Sequence, residues 1–295
     1  MARFGQTLTA MVTPFAADGS LDVEGAQKLA KWLVANGNDG LVIAGTTGEA
    51  PTLTHDEQIA LIEAVVDAVD VAVVAGTGSN DTRAAIELTE RASAAGATAV
   101  LSVTPYYNRP SQDGIVAHFR ACAEATDLPV LLYDIPGRTG RKIDTDNIIL
   151  LAKESNIVGL KDAAGDPGET ARVIAETSDD FDVYSGDDSL TLPLLSVGAC
   201  GVIGVATHWA GVEVHEMISA FRRGDIAEAI RLNQTLLASW DIESGDSRPN
   251  PIPTKTMLRL LGMPGGQCRL PMGPEPADLE DLCRKVLSNL GRPGF

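Results

Sequence analysis

Residues 129–161 read PVLLYDIPGRTGRKIDTDNIILLAKESNIVGLK, two short apolar runs on either side of a longer stretch with helical spacing. The runs, Pro129–Tyr133 and Ile157–Lys161, are nearly continuous in apolar residues, which is typical of strands buried on both faces. Between them, Asp144 can cap a helix with apolar residues at helical spacing. The stretch therefore predicts one strand–helix–strand unit of a parallel sheet.

The same alternation extends in both directions and gives eight runs, each followed by a helical stretch. Eight such units are typical of a (β/α)8 barrel. A doubly wound open sheet uses the same unit, but no G-x-G-x-x-G follows the first run and the count is eight, so the barrel is favoured. The runs are Leu8–Val12, Gly40–Ala44, Val71–Ala75, Ala99–Val103, Pro129–Tyr133, Ile157–Lys161, Val183–Ser185 and Gly201–Val205.

The pattern of strands stops after about Gly224. Residues 225–295 show helical stretches separated by turns rich in proline and glycine, such as Pro249–Pro253. We therefore expect a catalytic barrel over residues 1–224 and a C-terminal helical segment, residues 225–295, packed on it.

Composition argues against several functional classes. The 295 residues include 23 basic and 40 acidic side chains, a formal net charge of −17, and only 4% aromatic residues. Such a surface repels phosphate backbones and anionic lipid, which argues against nucleic-acid and membrane partners. No run of about 18 apolar residues is present that could span a bilayer.

The cysteines and histidines show no ligand spacing. The four cysteines lie far apart without a C-x-x-C pair, and the four histidines form no H-E-x-x-H motif. We therefore expect no disulfide framework, no metal site and a reducing compartment, the cytoplasm.

Lys161 is the most informative candidate for chemistry. It alone among seven lysines ends a wholly apolar run, at the strand end where barrel enzymes carry their active sites. Burial lowers the pKa of a lysine and frees its amine to attack a carbonyl group. The alternative is a lysine that reaches solvent or pairs with Asp162.

Other strand ends carry groups that suit the same chemistry. Tyr133 could move protons, or it could simply anchor packing. The turn Gly45–Gly48 and the loop residue Arg138 could each hold a carboxylate, although such turns and solvated arginines are common. Glu49 and the pair Asp187–Asp188 are predicted to be local caps or solvated charges.

Taken together, these motifs resemble the dihydrodipicolinate synthase family of pyruvate-dependent class I aldolases. The similarity runs in order over essentially the whole chain. Its motifs are Gly45–Glu49, Val103–Asn108, Tyr133 with Arg138–Gly140, Gly159–Asp162, Ser185–Asp188, Gly201–Ile203 and Asn250–Pro253.

The resemblance implies a lyase that condenses pyruvate with L-aspartate 4-semialdehyde to 4-hydroxy-tetrahydrodipicolinate, in lysine and diaminopimelate biosynthesis, without a cofactor. Lys161 would form a Schiff base with pyruvate. Tyr133, Thr46 and Tyr107 would relay protons, and Tyr107 would reach in from a neighbouring subunit. The family is usually a homotetramer, which we expect here. The implied substrate-binding residues are Thr47, Ile203, Arg138 and Gly186.

Two alternatives remain at this point. A sister aldolase that cleaves N-acetylneuraminate or a 2-keto-3-deoxy sugar acid would use the same Schiff base, and a non-catalytic barrel could bind a small acid. Within the family, lysine-sensitive members use two histidines, an asparagine and a glutamate. Here His55 and Asn80 match, but Gln58 and Ala84 do not, which predicts weak lysine inhibition.

Overall fold

The computed structural model describes residues 2–243 and 245–295, and its centre is a closed barrel of eight parallel strands in sequence order. The strands are β1 (Thr7–Ala10), β2 (Gly40–Ile43), β3 (Ala72–Gly76), β4 (Ala99–Val103), β5 (Val130–Asp134), β6 (Ile157–Asp162), β7 (Asp182–Ser185) and β8 (Gly201–Gly204). Strand β1 pairs with β8 and closes the barrel. All eight predicted strands and the barrel are confirmed.

Helices connect the strands and form the C-terminal part of the chain. Asp144 directly precedes its helix as predicted, but its side chain makes no capping hydrogen bond. Thr54 forms a capping box with Glu57 at the start of another helix. The helices are α1 (Val23–Ala35), α2 (His55–Val66), α3 (Thr82–Ala94), α4 (Gln112–Glu124), α5 (Pro136–Thr139), α6 (Thr145–Leu151), α7 (Pro167–Glu176), α8 (Thr191–Ser196), α9 (Thr207–Arg222), α10 (Ile226–Ile242), α11 (Ile252–Leu260) and α12 (Leu279–Asn289).

Buried apolar side chains form three clusters, because each strand is covered on both faces. One fills the barrel interior and includes Leu131, Tyr133 and Ile203. The second lies between the barrel and the helices of its first seven units. The third joins α9 to the C-terminal helices and includes Trp209 and Leu236. The C-terminal helices therefore share a continuous apolar core with the last unit of the barrel.

The register of the strands sets the geometry of the site. Tyr133 on β5 lies directly opposite Lys161 on β6, which in turn lies opposite Tyr184 on β7. Alternate residues of a strand point to opposite faces, so Tyr133 and Lys161 point into the barrel while Asp134 and Asp162 point outward. Parallel pairing thus brings the phenol and the amine together at the carboxyl ends of the strands.

Candidate active site

Lys161 lies in the barrel interior with only 5% of its surface exposed. Its Nζ is 4.4 Å from the centre of the Tyr133 ring. Burial lowers the pKa of Lys161 to about 8; the negative charge of Asp188 opposes this shift, and the positive charge of Arg138 adds to it. About a tenth of the amine is then neutral at pH 7, far more than for a solvated lysine. The side chain does not reach solvent, and it is available as a nucleophile.

Tyr133 is the immediate neighbour of this amine. Burial raises its pKa, while the charge of Arg138 and the side chain of Thr46, as a hydrogen-bond partner, act in the opposite direction. The phenol is therefore protonated at neutral pH and can donate its proton. Thr46 and Tyr133 line the same cavity, so two of the three hydroxyl groups predicted to relay protons lie together.

The turn Gly45–Glu49 follows β2 and is fixed by bonds from distant parts of the chain. Thr13 Oγ1 donates to the carbonyl of Gly48 at 2.6 Å. Asn250 Nδ2 donates to Thr47 Oγ1 at 2.8 Å, and both side chains are buried. Thr47 is thus held in one orientation by the C-terminal segment. A role for Asn250 was not predicted, although the motif that contains it was recognised.

The cavity lined by Thr46 and Tyr133 has a volume of about 390 Å³. Arg138 lies on the short helix α5 directly after β5, and it contributes to the cavity wall with Thr46 and Tyr133. The wall extends to His55 and Gln58 at the start of α2. Three of the predicted site residues therefore surround one space that is large enough for two small acids.

Gly186 and Ile203 border the lysine side chain and the barrel interior. A Cβ atom added to Gly186 would lie 3.0 Å from Cγ and 3.1 Å from Cε of Lys161, so any side chain there would crowd the amine. Ile203 on β8 is fully buried in the same interior cluster as Tyr133. Both positions thus shape the space around the amine.

Like Lys161, Tyr107 is a predicted catalytic residue that does not line this cavity. It is 89% exposed, adopts a positive φ of 72°, and its backbone N–H donates to the carbonyl of Thr139 at 3.3 Å. Such a backbone conformation is unfavourable for a bulky residue and indicates a constraint by its surroundings. Its neighbour Tyr106 lines the cavity instead.

Glu49 and Asp188, predicted to be local caps or solvated charges, are buried and are bonded to residues remote in sequence, so this prediction was wrong for both. Glu49 pairs with Lys255 at 2.6 Å, with 2% and 3% of the side chains exposed. Asp188 accepts backbone hydrogen bonds from Val205 and Ala206. Asp187, by contrast, caps the turn at Ser189 as predicted. The distinction depends on partners remote in sequence, so the local pattern could not reveal it.

Within residues 2–243 and 245–295, no group of three or more His, Cys, Asp or Glu side chains is arranged to bind a metal ion. Over the same residues, no helix is both long and apolar enough to cross a membrane.

Comparison with known proteins identifies the family. Residues 3–290 match the model of the dihydrodipicolinate synthetase family. The chain belongs to this family. A 4-hydroxy-tetrahydrodipicolinate synthase of Acidothermus cellulolyticus is 53% identical over 100% of this chain and 95% of the relative. The predictions of family and enzyme class from the sequence are thus confirmed.

Solved structures of the dihydrodipicolinate synthetase family show the same fold. A dihydrodipicolinate synthase from Bacillus anthracis is 46% identical, covers 98% of this chain and 99% of its own, and superposes with a TM-score of 0.94. The lysine-bound enzyme from Cyanidioschyzon merolae is 44% identical, covers 99% and 100% of the two chains, and has a TM-score of 0.96. The barrel with its C-terminal helices is thus shared with both of these family members.

Proposed function

We propose that this chain condenses pyruvate with L-aspartate 4-semialdehyde to give 4-hydroxy-tetrahydrodipicolinate, in lysine and diaminopimelate biosynthesis. The observation that carries the proposal is the buried amine of Lys161, with its pKa lowered to about 8, next to the Tyr133 phenol and a cavity that contains Arg138. An imine route needs a nucleophile, a proton shuttle and groups that bind anions, and these residues supply all three.

Lys161 Nζ attacks the keto carbon of pyruvate, and water leaves as the imine forms. The imine loses a proton from its methyl carbon and becomes an enamine. That carbon attacks the aldehyde carbon of the semialdehyde, whose oxygen gains a proton. The semialdehyde amine then attacks the imine carbon, which closes the ring and releases Lys161. Tyr133, with Thr46 and Tyr107, donates and accepts the protons; the raised pKa of Tyr133 supports its role as donor.

The two carboxylates of the substrates bind to different groups. The pyruvate carboxylate binds at the turn that contains Thr47, which Asn250 orients, and at the backbone of Ile203. Arg138, at the cavity wall after β5, binds the carboxylate of the semialdehyde through two parallel hydrogen bonds. Gly186 leaves the space that the imine needs beside Lys161.

We also propose a homo-oligomer, a tetramer, in which Tyr107 completes the site of a neighbouring subunit. Tyr107 and Leu270 are 89% and 82% exposed, which is unusual for large apolar side chains. Helix α10 also carries three exposed apolar side chains, Ile226, Ile230 and Leu237. These surfaces support contacts between copies of the chain.

The described cysteines are all unpaired, which supports our proposal that the enzyme acts in the cytoplasm. The division into a barrel over residues 1–224 and a helical segment over residues 225–295 is likewise proposed. The helical segment contributes Asn250 and Lys255 to the turn after β2, so we regard it as a part of the active-site scaffold.

The test combines a covalent trap with a turnover assay. Incubation with pyruvate and borohydride should add one reduced pyruvate to the wild-type protein, as read by intact mass. Lys161→Ala should abolish the adduct, whereas Lys153→Ala, at an exposed lysine, should retain it. An adduct that survives in Lys161→Ala would refute the assignment of the nucleophile.

Turnover is then measured with pyruvate and L-aspartate 4-semialdehyde, coupled to a dihydrodipicolinate reductase that consumes NADPH. Robust turnover supports the proposed reaction. An adduct without turnover would indicate a sister aldolase and direct the search to sugar acids. The absence of both would indicate a barrel that only binds small acids.

A further inference from the structure

We propose that Asp188 and Glu243 form a buried carboxyl–carboxylate pair that places a single negative charge beside Lys161 and stabilises its protonated imine. The inference rests on the proposed Schiff-base function of Lys161. Neither residue is assigned a place in the chemistry described above. Both act through Lys161, so they are positioning residues.

Asp188 is held where a negative charge is stable. It begins a short 3₁₀ turn after β7 and is 1% exposed. Its Oδ2 accepts the N–H of Val205 at 2.8 Å, and its Oδ1 accepts the N–H of Ala206 at 3.2 Å. These amides precede α9, where the helix dipole favours an anion. Gly204 leaves room for the carboxylate, since a Cβ atom there would lie 2.5 Å from Oδ1.

Glu243 is placed where a proton is more stable than a charge. It follows α10 directly, and its side chain lies within hydrogen-bonding reach of Asp188. Its Oε2 is buried without a hydrogen-bond partner within residues 2–243 and 245–295. Burial, together with the charges of Asp188 and Asp187, raises the pKa of Glu243 well above its ordinary value. Two adjacent carboxyl groups in such a site cannot both ionise.

The proton of the pair is therefore assigned to Glu243 and the charge to Asp188. Burial raises the pKa of Asp188, but two backbone hydrogen bonds stabilise its charged form, whereas Glu243 Oε2 has no partner among the described residues. Near pH 7 the Glu243 carboxyl group donates a hydrogen bond to the Asp188 carboxylate. The pair then carries one negative charge, not two.

The charge of Asp188 acts on the nitrogen of Lys161, whose own charge changes during the reaction. The charged groups that act on Lys161 are Asp188, Glu243 and Arg138, while Asp187 acts on the pair itself. Of these, Asp188 favours a positive charge on the lysine nitrogen, as Glu243 would if it were ionised, and Arg138 opposes it. The neutral amine attacks pyruvate, and the protonated imine that results is the species from which the methyl proton is lost. One nearby anion stabilises that imine without holding the free amine fully protonated.

The experiment measures the rate of imine formation with pyruvate from pH 5.5 to 10, by borohydride quenching and intact mass; these bounds bracket the Lys161 pKa of about 8. The rate should rise with the fraction of neutral Lys161. Asp188→Asn should lower the midpoint by about one pH unit, because the ammonium loses its nearby anion. Glu243→Gln should leave the midpoint unchanged, because the amide donates the same hydrogen bond as the protonated acid. Asp180→Asn, at an exposed aspartate, controls for the change in net charge.

A midpoint in Asp188→Asn that equals the wild-type midpoint would overturn the proposal. A midpoint in Glu243→Gln that falls as far as that of Asp188→Asn would also overturn it, since the charge would then lie on Glu243. If Asp188→Asn does not fold, as judged by circular dichroism, the Glu243→Gln midpoint decides alone: an unchanged value supports the neutral acid and a fall of a unit refutes it. Failure of the wild type to trap pyruvate would instead refute the proposed function of Lys161.

Discussion

Replacement of Lys255 by methionine should strongly lower the free energy of unfolding, because it breaks a buried ion pair at the turn that follows β2. Lys255 Nζ lies 2.6 Å from Glu49 Oε1, and the pair is almost completely buried. Methionine preserves the length and most of the packing of the lysine side chain but leaves the Glu49 carboxylate without its cation. Glu49 retains one partner, the backbone N–H of Arg269, which donates to its Oε2 at 2.9 Å.

The expected magnitude follows from the cost of an uncompensated buried charge. Removal of one partner of a buried ion pair typically costs about 3–5 kcal/mol of unfolding free energy. The remaining bond to Arg269 places the Lys255→Met variant near the lower limit, about 3 kcal/mol. The double variant Glu49→Gln/Lys255→Met removes the buried charge, so it should recover about 2 kcal/mol of that loss. Because Glu49 ends the turn that holds Thr47, the KM for pyruvate should also rise in Lys255→Met.

Urea unfolding at fixed protein concentration, which keeps any contribution of subunit association constant, measures these free energies. Lys285→Met, the same substitution at an exposed lysine of α12, should change stability by no more than about 0.5 kcal/mol. A loss of less than about 1 kcal/mol in Lys255→Met would refute the reasoning. So would a double variant as unstable as Lys255→Met, because the cost would then not come from the unpaired charge.

Three further predictions concern the site and its surroundings. Arg138→Ala should lower kcat/KM for the semialdehyde by a factor equivalent to about 1.5–3 kcal/mol. The pyruvate adduct should still form at the normal rate, and equal losses in both steps would argue against the role of Arg138. Burial raises the pKa of Asp134 from 3.8 to about 7, so the folded protein retains a proton that the unfolded chain loses as pH rises through this window. Stability should therefore fall between about pH 4 and pH 7, by at most about 1.4 kcal/mol per pH unit. Asp134→Asn should show a smaller fall in Tm over this range, and the same fall in both proteins would exclude this carboxyl group. Lysine should inhibit turnover only weakly, because Gln58 stands where lysine-sensitive members have a histidine, and its Nε2 donates to the carbonyl of Ala50 at 3.1 Å. Strong inhibition at low lysine concentration would contradict this prediction.

The barrel could be predicted from the sequence because its strands are specified locally. A strand covered on both faces must be apolar along its whole length, and eight such runs define the fold without knowledge of their contacts. The cap at Thr54 and the lysine in the last two residues of β6 are equally local signals. The prediction that Glu49 and Asp188 are local caps or solvated charges was wrong for the opposite reason. Whether an acid is exposed depends on which residues pack over it, and those lie far along the chain.

The sequence by itself determined the class of fold, the family and the identity of the lysine that can form an imine. Only the tertiary structure decided the properties that make this lysine reactive. The lowered pKa of Lys161 comes from burial by the whole barrel and from the charges of Asp188 and Arg138. The orientation of Thr47 depends on Asn250, 203 residues away. Desolvation and hydrogen bonding act through space, so they arise only when the closed barrel and the C-terminal helices bring these groups together.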